Sequence, residues 1–445
     1  MTEADVHSSE RGLFKEVEFS LTSGMDVRCA TFHPIDPVLA CGLGKGNLAF
    51  LRGSHHSTPF ENWEIEPKQY RYGRIILSVQ WNVNGTKVAA GSDDGTVSVW
   101  SYPGDGKQVF RRNGRSHFPL IIWNPFNPDV FASYNNALDT KQVMIANFAN
   151  EKPLSHAIES YLNCQTVAWI SYKQLAFGYD DGTFEVHELG LSQIGLLNSE
   201  MVQKIGHDFG DDEHDRATSS HPEFQSELRC SVSNIAMNME LGLLASVGTD
   251  RRVKLWFRGT NDPTRIVKFP LQLNDLDSNC KSLVWCSDIK KRKKAFLACG
   301  LENGTIVIWY LGSNETLKLS GLDQIHQLLL SPDKRYLASI DYFKKLIIWC
   351  TESWEAIYIL PSSGFKYPYV MTWDAASSKL GISGRRGQGQ FNVIEYGVAE
   401  KCCAVCKKTS ENLKRCSRCR SIYYCGRECQ RSHWPQHKRD CNRNE

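Results

Sequence analysis

A mostly-β chain is what the sequence predicts: a β-propeller over residues 13–396, closed by an N-terminal strand, and a small finger over residues 402–441. Three observations point to it. A strand-rich unit recurs along most of the chain, an early strand has no local partner, and the last stretch carries paired Cys and His at metal-ligand spacing.

The recurring unit is roughly forty to fifty residues long. It has an apolar strand ending in an aromatic, a small-residue strand, a turn rich in Asp, Asn or Gly, and a β-branched strand ending in Trp or Phe. Clear copies close on Trp100, Trp256, Trp309 and Trp349, and weaker ones cover 27–51, 118–148, 164–187 and 369–395. Alternating strands joined by Asp-Gly turns make a small sheet that cannot bury both of its faces alone. Stacking such sheets around an axis solves the problem, which is the logic of a propeller. Eight three-stranded units are counted, with seven as the alternative if one weak unit is misread. A candidate outer strand follows each of the first seven, for instance at Gln108-Val109-Phe110 and Ala356-Ile357-Tyr358-Ile359. The eighth runs straight into the finger, so the alternating stretch 14–21 is expected to clasp it.

These units resemble WD repeats, in degenerate form. The Asp of the Trp-Asp pair is missing. The family's turn aspartate corresponds to Asp94 and Asp250 and is Asn303 in a third copy, and the Gly-His dipeptide is missing almost everywhere. The resemblance implies the sheet architecture and leaves open the buried His–Asp–Ser/Thr–Trp networks.

Around this frame the sequence is ordinary for a soluble protein, 41% hydrophobic and 23% charged. It has no apolar run of the length that spans a membrane. Residues 1–12 read as a flexible polar arm without the apolar core of a secretion signal, which points to a cytoplasmic location with the nucleus also open. Residues 205–225 read as a flexible acidic, His-containing insertion. A metal site from His207, Asp211, Asp212, His214 and Asp215 is weighed there against a solvated loop, and the loop is preferred. The run Lys290-Lys291-Arg292-Lys293-Lys294 reads as a basic hairpin tip. Gly42, Gly44 and Gly46 read as turn residues rather than a phosphate loop. No Gly-x-Ser-x-Gly, His-Glu-x-x-His or Walker pattern is present, so no enzyme is expected.

Beyond a short linker at 397–401, the ligand positions are Cys403-x2-Cys406, Cys416-x2-Cys419, Cys425-x3-Cys429 and His437-x3-Cys441. Eight ligands in four pairs suffice for two tetrahedral zinc ions per chain. The x2 pairs suit knuckles, and the x3 pairs are i,i+4 on a helix face. So short a segment has too little core to fold without metal. The other cysteines are dispersed and read as buried, reduced side chains. Residues 401–445 have a formal charge of +8, which seven zinc-bound thiolates and two zinc ions would reduce to about +5.

This stretch resembles the MYND zinc finger, including Tyr424, Gln430, Trp434 and the closing His437 and Cys441. The resemblance implies interleaved sites: Cys403, Cys406, Cys425 and Cys429 on one zinc, and Cys416, Cys419, His437 and Cys441 on the other. Cys402 is a spare beside Cys403. A RING-type finger fits less well, because its later pairs are expected at x2. MYND fingers also accompany SET-type methyltransferases, but the repeats leave no room for that domain. The resemblance further implies that a short Pro/Leu-containing peptide packs on Gln430 and Trp434, against the simpler reading that Trp434 caps the finger's core. The expected function is therefore a protein-interaction scaffold, with a second, unknown protein on the propeller. A ubiquitin-pathway role through recruitment of a conjugating enzyme, and a nucleic-acid role through the basic finger, are the alternatives. Nucleic acid is not the expected partner, since part of the charge balances thiolates.

Overall fold

In a computed structural model, the described residues are 14–19, 27–44, 46–66, 70–71, 74–104, 107–111, 119–135, 142–149, 153–159, 162–191, 197–206, 231–258, 266–274, 276–287, 295–362, 369–384, 391–396, 403, 405–406, 413–416 and 423–440. They form an eight-bladed β-propeller and a finger. The chain parts into two compact units, Glu18–Val393 and a unit comprising Met1–Val17 with Ile394–Glu445.

Seven blades are built from consecutive antiparallel strands. Blade 1, for example, begins Val27–Phe32, Val38–Leu43 and Asn47–Arg52, and blade 4 is Cys164–Trp169, Gln174–Tyr179, Thr183–Leu191 and Leu197–Gly206. The eighth sheet is ordered Phe14–Phe19, Phe391–Tyr396, Lys379–Gly384, Tyr369–Trp373, so the N-terminal strand supplies the outer member. Phe14 lies on Tyr396 with ring centroids 4.8 Å apart. The clasp expected from the unpartnered strand is present over residues 14–19; positions 20 and 21 lie outside the described residues, as do 1–12 and 397–401. Ile205 and Gly206, read as the head of an insertion, instead close the outer strand of blade 4. The alternation Leu197 to Gly206 simply continues its pairing with Thr183–Leu191. Residues 207–225 and 290–294 lie outside the described set, with the candidate ligands His207, Asp211, Asp212, His214 and Asp215.

The core sits between blades rather than inside any one of them. Val38, Phe50, Val79, Trp81 and Trp100 join blades 1 and 2, and Val130, Ile145, Val167, Trp169 and Phe177 join blades 3 and 4. First strands pack on one another around the axis, and Tyr369–Trp373 reaches Val27–Phe32 to close the ring. Each tryptophan at the end of a first strand also has a directional role. The indole N–H of Trp81 donates to Thr31 O, Trp123 to Gln80 O, Trp169 to Ile122 O, and Trp285 to Ala236 O, at 2.9–3.1 Å. Trp373 repeats the bond to Leu329 O at 3.5 Å. In every case the acceptor belongs to the preceding blade. A Trp169→Phe change keeps the ring packing and takes the donor from a part-buried carbonyl. It is expected to cost about 1–3 kcal/mol, read as a lowered urea midpoint with unchanged slope.

The turns after the first strands of blades 1 to 3 carry a second tie. His33 Nδ1 accepts the backbone N–H of Ile35 and Asp36, which fixes the tautomer so that Nε2–H donates to Gly85 O at 3.0 Å. Burial holds the His33 imidazole below its ordinary pKa, as a neutral donor should be. Asn82 and Asn124 cap their own turns and donate Nδ2–H to Pro128 O and Tyr172 O of the next blade, each at 2.9 Å. Gly85 has φ +73°, and a Cβ there would stand 2.0 Å from His33 Nε2.

The degenerate repeats keep their local bonds where the residues allow. Asp94, Asp250 and Asn303 each accept the backbone N–H two residues on, at 3.0–3.1 Å. The indoles of Trp256 and Trp349 donate to Ser246 Oγ and Ser339 Oγ at 2.7 and 2.8 Å. A Ser–Trp remnant of the buried network thus survives in blades 5 and 7.

Blade 4 also holds a part-buried charge cluster. Glu185 accepts bonds from His187 Nε2, Lys204 Nζ and Tyr179 OH, each at 3.1 Å. The His187 bond first, and then Lys204 and Tyr179, outweigh burial and hold the Glu185 carboxyl at about 2. Its pKa is depressed on folding, so its contribution is present above the unfolded value near 4.5 and is lost as pH falls through about 2. Stability should therefore drop by on the order of 2–3 kcal/mol across that window. The drop is expected to flatten in Glu185→Gln, compared by denaturant titration at several acid pH values.

Candidate metal centre

The finger is assembled from little secondary structure. Lys414–Arg415 pairs with Tyr423–Tyr424, Lys414 opposite Tyr424, and the helix Arg427–Asp440 follows at once. Two short strands and one helix cannot enclose much. Its core is buried Cys403, Cys416 and Tyr424, with half-buried Leu413, Cys429 and Trp434 against them. Half of that list is sulfur or sits beside it, so packing and ligation are one problem.

The sulfurs of Cys403, Cys406, Cys425 and Cys429 all lie within 4.8 Å of one another. Cys425 Sγ is 3.5 Å from both Cys406 Sγ and Cys429 Sγ. Zinc–thiolate bonds of about 2.3 Å at the tetrahedral angle place sulfurs about 3.8 Å apart, so the cluster fits one zinc. Its electrostatics agree. The Cys429 thiol is pushed up to about 12, first by its hydrogen bond with Cys425, because crowded thiolates repel. Burial opposes ionisation of Cys403, but the backbone N–H groups of Cys406, Cys425 and Val405 outweigh it and hold this thiol at about 5. A dication removes the repulsion outright.

A second convergence lies across Tyr424. His437, on the helix, is buried, with Nε2 3.4 Å from the Sγ of buried Cys416. The other two expected members, Cys419 and Cys441, lie outside the described residues, as does Cys402. His433 was not singled out in the sequence. It stacks on His437 with centroids 5.6 Å apart, and Tyr424 OH and His433 Nδ1 are 3.0 Å apart. The i,i+4 spacing of His433 and His437 was the available signal.

Gln430 and Trp434 are also i,i+4 on this helix, both half-buried. Trp434 meets His437 edge-on at 5.8 Å. Its indole therefore lies partly against the core and partly in solvent. Pro435 follows within the helix and cannot donate to the Arg431 carbonyl.

Comparison with known proteins matches this geometry. The MYND finger profile matches residues 403–441, and the WD domain, G-beta repeat profile matches residues 69–101. N-lysine methyltransferase SMYD2-A of Danio rerio is 45% identical over 40 residues, 9% of each chain. SET domain-containing protein 14 of Caenorhabditis elegans is 41% identical over 54 residues, 11% of this chain and 13% of that one. The chain thus spans about a tenth of the length of these relatives, and the methyltransferase matches are confined to the finger. Among solved structures, the C-terminal WD40 domain of Sif2 aligns with TM-score 0.62 at 15% identity, over 86% of this chain and 98% of that one. Sqt1 of Saccharomyces cerevisiae aligns with TM-score 0.61 at 14% identity, over 85% and 97%. The molecule is a WD40-type eight-bladed propeller with a MYND finger at residues 403–441. Both are protein-interaction modules, and the four close cysteines of the finger support zinc binding.

Proposed function

We propose that this protein is a non-enzymatic scaffold whose finger reads short Pro/Leu-containing peptides while the propeller holds a second protein. The finger would carry two zinc ions, one on Cys403, Cys406, Cys425 and Cys429 and one on Cys416, Cys419, His437 and Cys441. Thiolates and buried unbridged cysteines suit a reducing compartment, the cytoplasm or the nucleus. Among the described residues no helix is long and apolar enough to cross a membrane.

The observation that carries the peptide reading is the half-exposed indole of Trp434 one helical turn from Gln430. An indole fixed from behind by a metal-ligand histidine is pre-ordered, so little entropy is lost when a Pro or Leu stacks on its open side. The Gln430 amide, one turn away, can then bond the peptide backbone. Titrating a panel of Pro/Leu peptides against full-length protein should shift the tryptophan fluorescence. Trp434→Ala is expected to weaken binding at least tenfold and Gln430→Ala less, with zinc content unchanged. A flat response across the panel, or binding indifferent to Trp434, would sink the reading.

A further inference from the structure

The turns that join first to second strands in blades 1 to 5 share a property that the other described turns of this kind lack. Each exposes large apolar side chains: Ile35, Val83, Phe126, Tyr172, then Met239 with Leu241, between 36% and 57% accessible. The matching turns of blades 7 and 8 expose Pro332, Asp333, Arg335 and Ala376 instead. All of these turns open on one face. The tryptophan bonds bring equivalent ends of neighbouring first strands together, and the His33–Gly85, Asn82–Pro128 and Asn124–Tyr172 bonds tie successive turns directly. The apolar side chains thus form an arc on a pre-ordered rim, and an exposed apolar series of this kind marks an interaction surface.

Charge and shape narrow what can cover it. Charged groups along the arc already have partners: Lys173 Nζ lies 5.3 Å over the Tyr172 ring, Asp129 is bound by Lys87, and Glu240 is bound by Lys334 and Ser287. Asp36, beside His33, stands at the blade 1 end. A charged partner would leave ions desolvated without a counter-ion, so an uncharged apolar one fits. Stacked sheets are about 10 Å apart, so the five turns run about 40 Å along a curve. A straight helix about 10 Å wide would meet two or three of them. An extended or polyproline-type chain rises 3.1–3.3 Å per residue and so meets a new blade about every third residue.

We propose that this arc docks an extended, uncharged segment of another protein, with an apolar side chain at every third residue. The inference rests on the reading that the propeller binds a second protein, and assigns that partner a place and a chemistry.

The test uses full-length, zinc-loaded protein and a fluorescein-labelled peptide of about 13 residues with Leu at every third position and Ser or Gly between. Anisotropy should show saturable binding. Phe126→Ser with Tyr172→Ser, both at solvent-exposed sites, should weaken it at least tenfold without changing the melting temperature. Leu317→Ser, an exposed apolar residue on an outer strand, should leave it unchanged, and so should Trp434→Ala. Absence of saturable binding would overturn the proposal, as would equal binding by the double variant or by a peptide with Leu at every fourth position. Concentration-dependent self-association abolished by Phe126→Ser, without peptide binding, would assign the arc to a second copy and overturn it too. A finger that still answers the Pro/Leu panel while the arc fails confines the failure to this inference.

Discussion

Removing metal from the finger is expected to unfold residues 403–441 and leave the main melting transition of the propeller in place. The propeller blades are held by apolar packing between sheets and by hydrogen bonds that contain no metal ligand. Among the described residues of the finger, three side chains are fully buried, two of them cysteines proposed as ligands. Structural zinc in small fingers contributes apparent binding free energies of about 10–16 kcal/mol near neutral pH, far more than so small a core can replace. A strong chelator should release two zinc ions per chain and quench the signal from Trp434, while the far-ultraviolet β signal stays. Cys425→Ser should lower the stoichiometry to one. A finger that keeps its near-ultraviolet spectrum after complete metal removal would show that packing alone suffices.

Deleting residues 1–19 should have the second largest effect. Phe14–Phe19 is the outer strand of the eighth sheet, so its loss turns Phe391–Tyr396 into an edge with unpaired N–H and C=O groups. A six-residue strand pairs several backbone groups, each contributing about 1 kcal/mol. The loss is then about 3–5 kcal/mol, together with aggregation through the bared edge. Urea midpoint and light scattering measure both. A synthetic peptide covering residues 14–19, added in excess, should restore part of each by strand addition. A truncated protein that melts and scatters like the full chain would mean that the clasp is dispensable.

Much of this was legible because it is written in local pattern. Blade count followed from counting the three-stranded units, and the resemblance to WD repeats from turn residues such as Asp94, Asp250 and Asn303, which act within two residues of themselves. The clasp followed from counting strands. That Cys403, Cys406, Cys425 and Cys429 share one site is what the resemblance to the MYND finger implied, whereas Cys425, expected on a helix face with Cys429, stands ahead of the helix that starts at Arg427. What stayed hidden is non-local or indifferent to side-chain identity. Nothing near Trp169 indicates that its donor reaches Ile122 O, 47 residues back, because a backbone carbonyl leaves no letter. Nothing in the sequence marks out His33, yet it is buried and orders two turns at once. Ile205 and Gly206 were misplaced because the polar stretch beyond them masks a strand that ends in Gly. Trp434 was read as either core or binding surface, and its half-burial serves both readings, which no alternation of letters could express.

The tryptophan ties have a consequence for how this sequence can change over time. Each tie needs a particular side chain on one partner only, while the other partner supplies main chain that every residue possesses. Substitutions at Thr31, Gln80, Ile122, Ala236 and Leu329 therefore keep the acceptor, whereas those at Trp81, Trp123, Trp169, Trp285 and Trp373 lose the donor. Half of each of these tryptophan bonds is thus shielded from mutation. A ring stitched this way can lose the recognisable letters of its repeats one by one and still close.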